Sequence, residues 1–489
     1  MKALFVCKGE YRYFFPLIAQ ALREIHNCES SAITFTAPAT SMMARTSSFN
    51  RLYDLSAFLM RFVALADLDE CKVTLREFED VGDCPMLNTM VYADRIIIRY
   101  SREQIIRILA AIIRFWNQVF IELQPDVVVG EVACATEWIG WVLARRMDIS
   151  YLIPHPTPVT NRFFFIDEPT GAWNRMRRYF EECRQRCLTV QEARAAESFV
   201  IDFRENKRKP PFLKWSERSL IHLEMRHLWR RMKRIPFRVQ SYVESGRYEV
   251  GSYHGTLPLI PICQEITRIC RDTYCQSTIF DHTVPKGPFV YFPLHVQPEF
   301  TTEVRAPFLA NQIAVIENIS KSVPITYQVV VKEHPGMRGE RRLGYYKHLT
   351  SLHNVRLVSP SVDSHLLIKR ADAVVTITGS SAWEALLYEK PVIALGPLCY
   401  GFCDLIYPCT DITDLPKYVD RALHRYRRNH DLLLKFVWSF LAAAYELQWG
   451  DPIRIPHICD VSNARKAAQA IVSEMSSRIV PRPLEFVTT

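Results

Sequence analysis

The chain has no G-x-G-x-x-G turn, no C-x-x-C pair and no uninterrupted apolar run long enough to cross a bilayer. The missing glycine turn counts against a nicotinamide or flavin dinucleotide enzyme, because close approach of the pyrophosphate needs those glycines after the first strand. The 14 cysteines lack zinc spacing: Cys183/Cys187, Cys270/Cys275 and Cys399/Cys403 have no matching half with histidines, so reduced thiols and the cytoplasm are expected. Ile105 to Phe120 is interrupted by Arg107 and Arg114, and Leu432 to Leu441 is short and carries Lys435, so an integral membrane protein is not expected. The opening Ala3 to Val6 is followed by Lys8, Glu10 and Arg12 without a small-residue cleavage site, and reads as a first strand rather than a signal peptide. The one D-x-D, Asp67-Leu68-Asp69, sits in a charged stretch and reads as surface; no metal site is expected.

With 489 residues and 48% hydrophobic content, the chain exceeds what one core usually supports. KALFVCKGEYRYFFPLIAQALREI reads as strand, turn near Lys8-Gly9-Glu10, and helix. An amphipathic helix over Ile105 to Glu122, a strand over Pro125 to Glu131, a helix from Cys134 to Met147 and a short strand delivering Pro154-His155-Pro156 complete a first α/β unit. Glu131 and His155 then fall at neighbouring strand ends, either lining a cleft or serving as structural residues. From Phe165 to Pro285 long helices rich in Arg, Lys and aromatics are expected. The basic residues that make up much of the net charge of +9 cluster there, between Arg175 and Arg238. Such a run is a solvated face or a contact for an acidic membrane surface or anionic glycan; no nucleic-acid motif accompanies it. The α/β rhythm resumes with strands at Phe289 to Leu294, Tyr327 to Val331, Val355 to Val358, Ala373 to Ile377 and Val392 to Leu395. The expected division is a Rossmann-like unit over 1–165, a basic helical insert and linker over 166–285, a second Rossmann-like unit over 286–430, and C-terminal helices over 431–489, the last placed to cross back.

Two motifs carry chemistry. In ADAVVTITGSSAWEALLYEKPVIALG a buried strand runs into the small-residue turn Thr378-Gly379-Ser380-Ser381 and then a helix. The first amides of a helix have no internal partner and carry the positive end of the macrodipole, so Gly379, Ser380 and Ser381 can hold an anion. Glu384 is placed to cap that helix with Ser381 or to receive ribose hydroxyls. Upstream, a second buried strand ends in Lys332-Glu333-His334-Pro335-Gly336. Ligands of open α/β sheets sit beyond the carboxyl ends of strands, so Lys332 and His334 are expected in the same crevice, with Pro335 stopping the ladder.

At PLHVQPEFTTEVRAPF, VVVKEHPGMRGERRLGYYKHL and VVTITGSSAWEALLYEKPVIALG the chain resembles the bacterial capsule polysaccharide biosynthesis family, which includes Kdo transferases acting on capsule lipid anchors. The resemblance covers Phe289 to Gly401 well, the first unit in rhythm only, and the helical middle hardly at all. It implies a GT-B fold, with two Rossmann-like domains facing a cleft and the sugar nucleotide held mostly by the second. It assigns Lys332, His334 and Pro335 to a Lys-x-His-Pro element that contacts nucleotide, and Ser380, Ser381 and Glu384 to a Ser/Thr-rich turn and its following Glu. His295, Gln297 and Glu299 match a Leu-x-x-Gln-Pro-acid segment facing the sugar. Arg341 matches a downstream basic position, as a donor contact or a surface arginine.

The activity so implied is a metal-independent glycosyltransferase of capsular or surface polysaccharide biosynthesis. It moves a sugar, with CMP-Kdo the donor suggested by resemblance and a UDP-sugar equally compatible with the physics, to a glycan or glycolipid. Glu131, His155 and Glu299 are the candidate bases. No cofactor beyond the nucleotide-sugar substrate is expected, and the location is the cytoplasm, with peripheral inner-membrane contact attached to the basic insert. The rivals are a sugar-nucleotide 2-epimerase, which needs no acceptor, and a noncatalytic glycan assembly or export protein.

Overall fold

The computed structural model describes residues 1–94, 96–206, 260–450 and 455–477, with single helical positions between 229 and 239. The first sheet contains β1 (Lys2–Cys7), β2 (Glu29–Thr34), β3 (Leu52–Asp54), β4 (Val127–Val129), β5 (Ser150–Pro156) and β6 (Phe163–Ile166), ordered β3-β2-β1-β4-β5-β6. All neighbours are parallel except β5 and β6. The second contains β7 (Phe289–Pro293), β8 (Gln328–Lys332), β9 (Val355–Val358), β10 (Ala373–Thr376), β11 (Val392–Ala394) and β12 (Ile406–Pro408), ordered β12-β11-β10-β7-β8-β9 and parallel throughout. Numbered within each sheet, both orders are 3-2-1-4-5-6, the Rossmann arrangement. The strand order reverses between β1 and β4 in one sheet and between β7 and β10 in the other, and such switch points are where a crevice opens.

The sequence explains the strands simply. Val127–Val129 and Ala373–Thr376 are wholly buried β-branched or small residues, as parallel strands covered on both faces require. In Phe163–Ile166 only Phe165 and Ile166 fall where helices are expected, and there the structure differs: the four buried residues turn back on β5 as an antiparallel strand, with Phe163 also bridging to Tyr445. Three consecutive phenylalanines favour a pleated, buried surface over a solvated helix.

The helix Arg102–Leu123 starts at a capping box formed by Ser101 and Gln104. Its length and mean hydropathy of 1.3 satisfy the requirements of a membrane span, unlike the interrupted run read from sequence, yet 56% of that window is buried inside the protein. It packs on the helix Ala135–Arg146, where Gly140 lets the Trp116 ring lie against the backbone: a Cβ at Gly140 would stand 2.3 Å from the ring.

At the end of the described chain, the helix His430–Ala443 packs on the helices Asn174–Arg184 and Val190–Asn206, and the helix Val461–Ser477 packs on Phe15–His26 of the first unit. Trp173, Trp383, Tyr400, Phe436 and Phe440 stack between the two sheets, with Trp383 and Phe440 centroids 4.7 Å apart. Much of the basic insert, residues 207–228 and 240–259, lies outside the described residues. In its described part five arginines have protein partners: Arg175 lies over Tyr445, Arg177 over Phe402, and Arg184, Arg186 and Arg204 pair with Asp404, Glu192 and Glu389.

Candidate functional site

A cavity of about 760 Å³ lies at the carboxyl ends of the second sheet's central strands and reaches across to the end of β5. His295, Glu299, Lys332, His334, Pro335, Gly379, Ser380, Ser381, Glu384 and His155 line it. Three sequence candidates do not. Glu131 accepts a short hydrogen bond from the Tyr11 hydroxyl, and burial pushes its carboxyl up, opposed by that bond and by Lys8. Gln297 is drawn aside to Glu303 and the Ala310 carbonyl.

Arg341 is the third. Its Nε donates to Glu333 at 2.9 Å, Nη1 to Gln297 Oε1 at 3.1 Å and Nη2 to the His295 carbonyl, and its guanidinium lies over Tyr345. Each arm is spent on protein, so the expected donor contact is corrected to a strut behind the wall, and the surface-arginine alternative fails as well because the residue is 8% exposed. What holds it is Glu333, fully buried, which also accepts from Tyr346 at 2.7 Å and from the His334 amide at 2.6 Å. A buried carboxylate at a strand end demands such partners.

The strut fixes His334. The His334 Nδ1 accepts from the Gly336 amide at 3.0 Å, so in the neutral ring Nε2 carries the proton and is a donor. Burial first, then Lys332 and Arg341, lower its pKa to about 4. Lys332, at the end of β8, is 7% exposed and stands opposite Pro293 of β7.

Between these groups and the turn after β10 stands His295. Its Nε2 accepts from the Thr378 amide at 3.2 Å and lies 3.3 Å from Thr376 Oγ1, which in turn accepts from the Gly379 amide at 3.1 Å. The ring proton therefore sits on Nδ1, which is buried without a hydrogen-bond partner. Burial, then His334 and Arg341, bring this pKa to about 3. Gln312 pins the His295 backbone through both its amide and its carbonyl, at 2.7 and 3.2 Å. A Cβ at Gly379 would stand 3.0 Å from His295 Nε2 and Thr376 Oγ1, so glycine lets the turn close on the ring without the few tenths of an ångström of give that a side chain would demand.

The helix after the turn, Ser381–Leu387, has Ser380 as its N-cap, whose side chain makes no capping hydrogen bond. Ser381 Oγ is buried and unpartnered, and Glu384 is 4% exposed on the cavity wall. Thr378 and Gly379 spend their amides on His295 and Thr376; the next two amides head the helix.

On the first-domain side His155 is engaged at both nitrogens: Nδ1 accepts from Trp173 Nε1 at 3.0 Å, and Nε2 lies 3.5 Å from Cys399 Sγ. Glu299 is exposed, its carboxylate receiving the Thr301 hydroxyl at 2.7 Å. Asp67 caps the helix Leu68–Glu79 through the Asp69 and Glu70 amides, far from this cavity in the chain. Among the described residues no group of three or more His, Cys, Asp or Glu is placed to hold a metal ion. Sequence reasoning missed Glu333, Gln312, Thr376, Arg305 and Cys399. Only Glu333 left a signal, a charge at the end of an otherwise apolar strand.

Residues 240–410 match the sequence model of the family described as capsule polysaccharide biosynthesis protein. A 158-residue stretch is 28% identical to Protein FixF of Sinorhizobium fredii (strain NBRC 101917 / NGR234), covering 31% of this chain and 37% of that protein, so the chain spans little more than a third of that relative. Among solved structures, a Thermosulfurimonas dismutans KpsC β-Kdo 2,4 transferase is 14% identical, with 72% of this chain and 93% of that one covered and a TM-score of 0.38. The UDP-GlcNAc 2-epimerase of Methanocaldococcus jannaschii is 12% identical, with 97% and 100% covered and a TM-score of 0.30. The calicheamicin glycosyltransferase CalG4 is 13% identical, with 98% and 99% covered and a TM-score of 0.27. The strand orders, not these scores, establish the paired Rossmann-like fold. The matched segment holds the ends of β7, β8 and β10 together, and over that segment the chain is similar to the capsule polysaccharide biosynthesis family.

Proposed function

We propose that the cleft binds a nucleotide-activated sugar and transfers the sugar to a hydroxyl of a glycan or glycolipid acceptor. The observation that carries this reading is the convergence of Lys332, His334 and the Gly379–Ser381 turn, from two strands flanking β7, on one cavity. Glycosyl transfer needs the departing phosphate neutralised as its bond breaks and an acceptor hydroxyl held in line. Lys332 supplies a fixed positive charge, His334 a neutral N–H donor, and the Ser380 and Ser381 amides a helix-head anion site. Glu384 is assigned to ribose hydroxyls, and the His295 ring to the part of the wall that faces the sugar.

For the base, Glu299 is the assignment. Glu131 is off the wall, and both ring nitrogens of His155 are engaged, whereas Glu299 is on the wall and open to solvent. A carboxylate in water's reach can take the acceptor proton directly. The donor we assign is CMP-Kdo, which rests on the resemblance to a family that includes Kdo transferases, with a UDP-sugar the alternative. Peripheral contact with an anionic membrane is assigned to the basic stretch running to Arg238 and rests on its charge alone. Co-sedimentation with vesicles containing anionic lipid tests it, and binding equal to that of neutral vesicles refutes it.

Transfer is tested by incubating the protein with CMP-Kdo or UDP-sugars and a glycolipid acceptor. His334→Ala and Glu384→Ala are each expected to lower turnover about 100-fold or more while far-UV circular dichroism is unchanged. Normal turnover in both variants refutes the site assignment. Sugar isomerisation without acceptor points to the epimerase instead.

A further inference from the structure

Cys399 is set apart from the other thiols by its surroundings. It follows β11 in the second domain, is 5% exposed and lines the cavity. Arg305 Nη1 donates to its sulfur at 3.2 Å. Because Trp173 Nε1 occupies Nδ1 of His155, the neutral ring carries its proton on Nε2, and that N–H faces the same sulfur at 3.5 Å. The sulfur thus receives two donors, one from each domain. Its backbone is bridged as well: the Cys399 carbonyl accepts from the Trp173 amide at 2.8 Å, and Arg305 Nε donates to the Pro169 carbonyl at 2.8 Å. Cys399, Arg305, His155 and the segment 169–173 form a knot tying the two sheets together at one end of the cleft.

Two donors, one a permanent cation, stabilise a thiolate over a thiol. Burial alone would push the thiol up, but His155 and Arg305 outweigh it and bring it down to about 6. Tyr400, next in the chain, is held neutral by burial, so the groups facing the sulfur are the Arg305 guanidinium and the His155 ring. Nothing in the glycosyl-transfer scheme uses this nucleophile.

We propose that Cys399 is a modification site, a thiolate on the cleft wall that reacts with small hydroperoxides and other soft electrophiles, and whose reaction undoes the His155–Cys399–Arg305 knot. With hydrogen peroxide the sulfur attacks one oxygen. An S–O bond forms as the O–O bond breaks, hydroxide leaves, the sulfur is oxidised by two electrons to a sulfenic acid, and the peroxide is reduced. The added oxygen displaces the two N–H donors, loosening the domains and weakening nucleotide binding; this last consequence rests on the reading of the cleft given above.

Iodoacetamide labelling of the whole protein, with the labelled peptide located by mass spectrometry, tests the thiolate without any nucleotide. An ordinary thiol such as N-acetylcysteine in the same tube slows about tenfold per pH unit below its pKa. Labelling of Cys399 is expected to differ less than about twofold between pH 7.5 and 6.5, and Arg305→Gln to restore a steeper dependence. No label at Cys399, or the full tenfold dependence in the wild-type protein, overturns the proposal whatever the variant does. Peroxide treatment with dimedone trapping is then expected to mark Cys399 and abolish the thermal shift given by a bound nucleotide. A trapped sulfenic acid with that shift unchanged overturns the coupling to the cleft, while absence of any nucleotide shift in untreated protein counts against the glycosyl-transfer reading alone.

Discussion

At the residue scale the site depends on groups that touch no ligand. Glu333 is completely buried and Arg341 is its cation, so removing the arginine leaves an uncompensated carboxylate. Arg341→Met is expected to destabilise the protein by about 3–5 kcal/mol in urea denaturation, and a loss below about 1 kcal/mol contradicts the strut. His334 makes a pH prediction. Its folded pKa of about 4 lies below the ordinary 6.5, so between those values the unfolded chain binds more protons than the folded one. Stability therefore falls as pH drops from 6.5 toward 4 and is restored as pH rises. His334→Gln is expected to flatten that limb of the stability curve; parallel curves for variant and wild type refute it.

Elements are where the sequence was most and least legible. The strands β7 to β11 declare themselves as short runs of aromatic, aliphatic and β-branched residues, and the crevice follows from their ends, which is why the sequence alone places Lys332, His334 and Ser380 together. β3 and β12, three residues each, have too little pattern, and β6 was hidden because Phe163–Ile166 adjoins an Arg-rich segment. Arg341 was misplaced for another reason: spacing locates a residue along the chain but does not say that Glu333, Gln297 and the His295 carbonyl consume all its donors. The close fit between the helices Arg102–Leu123 and Ala135–Arg146 was equally invisible, since Gly140 matters only through the Trp116 ring beside it. Gly140→Ala would ordinarily favour a helix, yet here it is expected to cost about 1–3 kcal/mol, read as a lowered melting temperature. A raised melting temperature contradicts that packing.

For the whole molecule, two sheets of identical strand order are tied together by an aromatic stack and by a C-terminal segment that returns to the first sheet. Among the described residues a cavity lies between the carboxyl ends of β8 and β10 and the end of β5. In such an arrangement a proton acceptor has to be reachable from the acceptor side. Glu299→Gln is accordingly expected to lower kcat about 100-fold or more with little change in donor KM, and an unchanged kcat moves the base elsewhere.

The central claim is that this cavity holds a nucleotide-activated sugar, and the most direct measurement is a thermal-shift series with CMP, CMP-Kdo, UDP and several UDP-sugars on wild type and His334→Ala. Selective binding raises apparent stability by mass action. A cytidine-selective rise in the wild type that is lost in the variant is the predicted result. A uridine-selective rise would keep the cleft and change the donor, whereas no rise with any nucleotide would contradict the account.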